Sequence, residues 1–322
     1  MAGERPEPAT HMRLPAAPIR PAGLVLSLGA TLWLPSPLAS QSCTPLSEPT
    51  ALPAAAVESS GAALSRYYPD LLWTHNDGGH PAALFAVDRS GAPVGSPTLP
   101  DTRNVDWEDM ETAACEAGTC LYLADTGDNA ARRDHVVIYR IPEPDPSETL
   151  TQAPMEVRGR FPAGARDVEA LFVLPPEHLF LVTKGSRSAV ELYRFPLTGG
   201  FSSQGESNGA TEALSPIHEL ELVQVLDPSR RSLPRQVTGA SASPAGDRVV
   251  LRTYETLEFF HVVDGRLIPM PEGQISLRHF REGQGEGVAW GLADQIALTS
   301  EAGPFGPAAS FVLRTCTTPP PP

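Results

Sequence analysis

Asp106-Trp-Glu-Asp-Met110, Cys120-Leu-Tyr-Leu-Ala-Asp125, Val136-Val-Ile-Tyr-Arg140 and Met155-Glu-Val-Arg-Gly-Arg-Phe161 set the pattern on which the fold is read. These are short runs rich in aliphatic, β-branched and aromatic residues, separated by Gly, Pro and Asp turns, which is the signature of strands. An acidic or small residue opens the first run, the second ends in polar residues, and the third carries aromatics. The order recurs along the chain. Further first runs open at Glu58-Ser-Ser-Gly-Ala62, Asp167-Val-Glu-Ala-Leu171, Val237-Thr-Gly-Ala-Ser241 and Gly285-Glu-Gly-Val-Ala289. Second runs read Leu71–Asp77, His178–Lys184, Arg248–Tyr254 and Gln295–Glu301; third runs read Ala83–Val87, Val190–Arg194, Leu257–His261 and Ser310–Arg314. Fourth runs are Pro93–Ser96, His218–Gln224 and Gln274–Arg278. Tandem units of four antiparallel strands are the blades of a β-propeller. The predicted fold is therefore all-β, a single propeller with five visible blades and a sixth left open; a pair of β-sandwiches is the competing reading. The fifth unit lacks a fourth run, and the segment after Cys43 can supply it and close the ring.

The wider composition fits. The chain has 322 residues, with 35 Pro and 27 Gly as turn punctuation. Its formal charge of −14 argues against nucleic acid, which needs a basic face. Near the start, Arg13 and Arg20 precede an apolar run from Gly23 to Leu34, and small residues follow to Ser42. This order describes a secretory signal, and the run is shorter than the roughly 20 residues that span a bilayer. The expected organisation is a signal and upstream segment over 1–42, a propeller over 43–316 and a Pro-rich tail over 317–322. Residues 199–215 read as a Gly/Ser-rich surface loop. The expected location is the periplasm or outside the cell, as a monomer without a transmembrane segment. A lipid anchor at Cys43 is disfavoured, because Ser40-Gln41-Ser42 lacks the residues that precede a lipidated cysteine.

Four cysteines in an oxidising compartment point to two disulfides. Cys115 and Cys120 flank a hairpin turn and suit a local bridge. Cys43 and Cys316 remain at the two ends of the mature chain. Pairing them needs their Cα atoms within about 7 Å, which a closed ring provides; a free or lipidated Cys43 is the alternative.

In a blade the first strand is innermost and the second runs back antiparallel. The start of strand one and the end of strand two therefore share one mouth of the central channel. Those positions hold Glu58, Asp106, Glu108, Asp109, Asp167, Glu169 and Glu286, with His75, Asn76, Asp77, Asp125, Asp128, Asn129, Lys184, Arg252, Glu255 and Glu301. So many carboxylates repel one another unless a cation or basic partners compensate. Asp125-Thr-Gly-Asp-Asn129 offers hard oxygens on a tight turn, as Ca²⁺ prefers; an Asx turn is the plainer reading. The expected metal ligands are Asp125, Asp128, Asn129, Asp106, Glu169 and Glu286. His75, Asn76 and Asp77 are expected to bind ligand, and zinc is disfavoured because no third His or Cys has ligand spacing. Lys184, the only lysine, and Arg252 are expected either to hold an anion or to neutralise nearby carboxylates, Glu169 for the lysine and Glu255 or Glu286 for the arginine. Trp73, Trp107 and Trp290 read as packing between blades.

At Trp73–Asp77, Asp106–Asp109, Gly127–Asn129, Asp167–Ala170 and Gly285–Gly287 the chain resembles an uncharacterised family of secreted bacterial β-propeller proteins. More distantly it is similar to phytase-like and lactonase-like propellers. That likeness implies Ca²⁺ among carboxylates at the mouth and metal-assisted hydrolysis. The fourth unit departs from the acidic pattern, with Thr238-Gly239. Two functions follow. One is a Ca²⁺-dependent hydrolase of phosphoester, ester or lactone bonds acting on a small substrate, with Glu108 or Asp109 as general base and Lys184 and Arg252 holding the anion. The other is a non-catalytic propeller that binds a ligand or a protein. No nucleophile elbow and no Ser-His-Asp order is present.

Overall fold

A computed structural model describes residues 3, 42–196, 201–203, 215–303 and 307–317. The expected signal segment, the 199–215 loop and the Pro-rich tail lie almost entirely outside the described residues. Ala39–Pro322 is one compact unit.

The strands sort into five antiparallel sheets, each with its blade strands in radial order. The first blade is Ser59–Leu64, Leu72–Asn76, Leu84–Val87 and Pro93–Gly95. The second is Trp107–Cys115, Gly118–Asp125, Val136–Pro142 and Met155–Arg160. The third is Val168–Leu174, His178–Thr183, Val190–Arg194 and Glu221–Asp227. The fourth is Val237–Ala242, Arg248–Thr253, Thr256–Val263 and Arg266–Ser276. The fifth is Gln284–Trp290, Gln295–Glu301 and Ser310–Thr317, completed by Ser42–Pro45 from the other end of the chain. This is the five-bladed propeller that the repeat predicts, its last blade completed by the Ser42–Pro45 strand.

Small residues let five inner strands converge: Ser-Ser-Gly-Ala-Ala in the first blade and Thr-Gly-Ala-Ser-Ala in the fourth. The bulky residues lie between blades. Five apolar clusters fill the five interblade spaces, holding Trp73 and Trp107 between the first and second blades and Trp290 between the fourth and fifth. The packing role read for these tryptophans is what the structure shows.

Two outer strands differ from the sequence reading. His218–Gln224 is not one strand. Ile217–Glu219 pairs in parallel with Met155–Arg160 of the second blade, and Glu221–Asp227 joins the third. Leu220 is the crossing point: its N–H donates to the Arg160 carbonyl at 2.9 Å, and its buried side chain joins Phe161 and Phe195 in the core between these blades. In the fourth blade the outer strand starts earlier than Gln274, at Arg266. The reason is Asp264-Gly265, both at positive φ (50° and 72°), which forms a two-residue hairpin turn whose twist matches the strands.

Both expected disulfides are present. Cys43 and Cys316 face each other in the closing pair, with Cα atoms 4.1 Å apart, and Cys115–Cys120 spans the hairpin at 5.8 Å. The first closes a separation of 273 residues and the second one of 5. Chain entropy gives roughly 5 kcal/mol for the long closure and roughly 2 for the short one. Cys43→Ala/Cys316→Ala is expected to lower the denaturant midpoint clearly more than Cys115→Ala/Cys120→Ala; equal losses would show that the ring does not depend on its covalent closure.

Candidate functional site at the channel mouth

Every inner strand breaks register once near its start, between Ser59 and Ala62, Trp107 and Asp109, Val168 and Ala170, Val237 and Gly239, and Gly285 and Val288. A bulge leaves a residue outside the ladder and re-aims its side chain. The extra residues are Ser60, Glu108, Glu169, Thr238 and Glu286. The equivalent pairs Ser59–Asn76, Trp107–Asp125, Val168–Thr183, Val237–Thr253 and Gly285–Ser300 also place the following residues, Asp77, Thr126, Lys184, Tyr254 and Glu301, at one level. Two rings of side chains therefore ring the mouth.

Hydroxyls in these rings stitch the blades together. Ser60 donates to the Glu108 carbonyl at 2.7 Å, Thr238 to the Glu286 carbonyl at 3.1 Å and Thr126 to the Val168 carbonyl at 2.9 Å. Glu169 and Glu286 meet Lys184 and Gln284, and Asp77 accepts the Gly78 N–H, but Asp106 and Glu108 have no such outlet among the described residues. Oxygens of Asp77, Asp106 and Glu108 lie within 4.8 Å of one another. Glu108 is only 5% exposed, and its carboxylate accepts no hydrogen bond among the described residues. Two glycines keep this space open. A Cβ at Gly127 would stand 2.0 Å from Glu108 Oε1, and one at Gly78 would stand 2.5 Å from Asp106 Oδ1. The Gly-Asp-Asn and Asn-Asp-Gly-Gly loops thus serve the neighbouring carboxylates by lacking a side chain.

Burial is the largest influence on all of these acids and raises each. Asp106 is pushed up to about 6 by burial and then by Asp77. Glu108 is raised well above the ordinary range by burial, then by Glu169, Asp77 and Asp106. Glu169 rises to about 7 through burial, against the pull of Lys184, whose Nζ lies 2.6 Å from its Oε1. Glu286 is raised by burial and by Glu169 and accepts from Gln284 Nε2 at 2.6 Å; Glu301 rises to about 7 by burial and then Asp77. Burial pulls the Lys184 ammonium down, but the attraction of Glu169 and other neighbours outweighs it and shifts it further up, so it stays charged.

Other residues predicted for the site are occupied elsewhere. Asp109 is fully buried and crosses the axis: Oδ2 accepts N–H groups of Leu171 at 2.8 Å and Ala240 at 3.0 Å, and Oδ1 that of Met110 at 2.9 Å. Burial raises its pKa against these donors. Asp125 pairs with Arg133 at 2.7 Å and accepts from the N–H groups of Val105 and Asp106. Asp128 accepts from the N–H groups of Arg132 and Arg133, four and five residues on rather than the two of an Asx turn, while Asn129 is exposed on the turn. Arg252 is wholly buried and its fork is spent on the carbonyls of Gly287 and Thr299 and on Glu282 at 2.6 Å; Glu282, rather than Glu255 or Glu286, is its partner. Glu255 instead meets Arg278. Asn76 bonds to Glu58 N–H and to the Ala55 carbonyl. His75 is buried edge-on to Trp107, and burial pushes its imidazole down to about 4, so it is neutral at pH 7. The sequence reading also passed over Tyr254, although its place in the repeat is that of Lys184.

No family model matches this chain, and no curated protein matches it in sequence. Among solved structures, the PQQ-bound aldose sugar dehydrogenase of Streptomyces coelicolor is similar with a TM-score of 0.50 at 12% identity, covering 88% of this chain and 100% of that one. The major allergen Mala s 1 of Malassezia sympodialis gives 0.52 at 8% identity, covering 84% and 96%. A gluconolactonase of Xanthomonas campestris gives 0.39 at 14% identity, covering 80% and 72%. At these identities the first two likenesses show the fold alone, and one fold hosts many activities.

Two outcomes follow from the mouth. A carboxyl whose pKa is higher folded than unfolded holds its proton more tightly in the folded state. Its contribution is full below the unfolded value, 4.5 for Glu, and is lost as pH rises through the folded value, about 7 for Glu169 and Glu301. Chelator-treated protein is therefore expected to melt at lower temperature at pH 8 than at pH 5, and a melting temperature that holds or rises across that window would contradict this electrostatic picture. Secondly, the clash of a Gly127→Ala methyl is with movable carboxylates rather than backbone. This variant is expected to keep its melting temperature in chelator, because the Glu108 and Asp106 carboxylates can swing aside; a fall of more than a few degrees would mean that the two side chains are locked in place.

Proposed function

We propose that the mouth holds a divalent cation, Ca²⁺ by the hardness of its oxygens, and hydrolyses an ester or lactone beside it. The observation that carries this reading is the trio Asp77, Asp106 and Glu108, three carboxylates within 4.8 Å of one another in a cradle that Gly78 and Gly127 leave open. Glu108 is buried without a donor, which is costly, and beside the half-buried Asp77 and Asp106 it fits a cation that takes further oxygens from water. When bound, the cation would polarise an acyl oxygen and acidify water.

The chain's own residues supply the rest. Glu169, with a pKa near 7, takes the proton from water as its oxygen bonds to the acyl carbon and the acyl–oxygen bond breaks. Lys184 stays charged and fixes the Glu169 carboxylate by its 2.6 Å contact. Asp109, with its oxygens spent on backbone donors, floors the site. Because Arg252 is buried and engaged and Lys184 is held by Glu169, neither expected anion clamp is free, which favours an acyl substrate over a phosphoester. The two disulfides fit an oxidising compartment, and the reading places the mature protein in the periplasm or outside the cell.

A second reading is a non-catalytic, cation-dependent binding propeller. It is favoured by the closed pairs Glu169–Lys184 and Glu286–Gln284, which leave fewer free groups for chemistry. A screen of lactones and aryl and alkyl esters with Ca²⁺ or chelator separates the two. Chelator-sensitive turnover that drops at least about 100-fold in Glu108→Gln is expected. Calcium binding by calorimetry without turnover would select the binding module, and no calcium binding would end both forms of the cation reading.

A further inference from the structure

The side of the mouth facing the carboxylate trio has a different chemistry. In the ring formed by the second-strand ends, the first and fifth blades carry Asp77 and Glu301, whereas the second, third and fourth carry the donors Thr126, Lys184 and Tyr254. Thr126 is spent on the Val168 carbonyl and Lys184 is held by Glu169. The Tyr254 hydroxyl makes no hydrogen bond among the described residues, although its ring is half-buried. The charges that bear on it are Glu286, Lys184, Glu169 and Glu108, all of them mouth residues.

Its backbone is held rather than loose. Thr253 Oγ1 accepts the N–H of Thr256 at 3.0 Å and shares a hydrogen with Thr256 Oγ1 at 2.8 Å, which fixes the tight turn on which Tyr254 sits. Glu255, the next residue, turns away to Arg278. A rigid turn thus offers a single phenol to the mouth. Burial and the Glu286 carboxylate raise its pKa, so it stays a donor at any working pH.

Resting on the hydrolase reading above, we infer that Tyr254 is a catalytic hydrogen-bond donor that meets the leaving oxygen of an ester or lactone across the mouth from the carboxylate trio. As the acyl–oxygen bond breaks, charge grows on the alkyl oxygen, and a fixed O–H directed there is worth most when that alkoxide is basic. The water proton taken by Glu169 finally neutralises the departing alkoxide, so the protein ends as it began. The site would therefore prefer alkyl esters and lactones, whose leaving oxygens need such a donor, over activated aryl esters.

The test uses two esters with one acyl group, p-nitrophenyl butyrate and ethyl butyrate, with the Ca²⁺-loaded protein. Tyr254→Phe keeps the ring and removes the donor. Its kcat/KM is expected to fall about 100-fold on the ethyl ester and by less than about threefold on the nitrophenyl ester, with an unchanged melting temperature. Glu108→Gln is expected to lose both substrates alike. Equal loss on both esters, or none, in Tyr254→Phe would overturn the inference while a Glu108→Gln defect leaves the hydrolase reading in place. If the wild-type protein turns over neither ester, both fall together.

Discussion

The carboxylate of Asp109 ties the second blade to the third and fourth through their backbone N–H groups, across the axis of the molecule. An antiparallel sheet satisfies its ladder only within the blade, and a bulge leaves inner-strand amides facing the centre without a partner. A side chain that accepts two such amides from different blades answers that need where no apolar core can. One layer further in, Glu111 repeats the device, taking Ser241 and Ala242 of the fourth blade. The converging small residues of the inner strands owe their spacing to these struts, and the interblade apolar clusters then fix the angular positions around them.

The same bulges that create the need for Asp109 create the mouth. One residue per inner strand is released from the ladder, and its identity varies: hydroxyl in the first and fourth blades, carboxylate in the others. Where it is a hydroxyl it turns sideways and sews adjacent blades together; where it is a carboxylate it stays in the opening. The result is an uneven cup, acidic towards the first, second and fifth blades and rich in donors towards the third and fourth. A fold with near-fivefold repetition thereby acquires a direction, which a ring of identical groups would lack.

Much of this was legible in the chain. The repeating runs showed five blades, the inner-strand starts and a segment able to close the ring, because burial on both faces writes itself into strand composition; the sheet pairing is what excludes the sixth blade left open. The inventory of mouth acids was also readable. What could not be read was which acid is spent. Asp106 and Asp125 look alike as letters, yet one belongs to the trio and the other is consumed by Arg133 and two amides. Arg252 likewise looks like an anion clamp until its depth is known. Tyr254 was readable only by strict register, since it stands beside the more conspicuous Arg252 and Glu255. The split at Leu220 had no signal, because an exchange of strands between neighbouring sheets leaves the polar–apolar pattern almost unchanged.

The ring is also a single covalent circuit. Cys43 and Cys316 are joined where the first and last strands of the propeller lie side by side. A mechanical load applied through the two ends of the chain would pass from one strand to its neighbour through sulfur, and the blades between them would carry none of it. An exopeptidase trimming either end would likewise stop at a cross-linked strand pair. Such closure turns two points at which a propeller could fray into one of its best-protected seams.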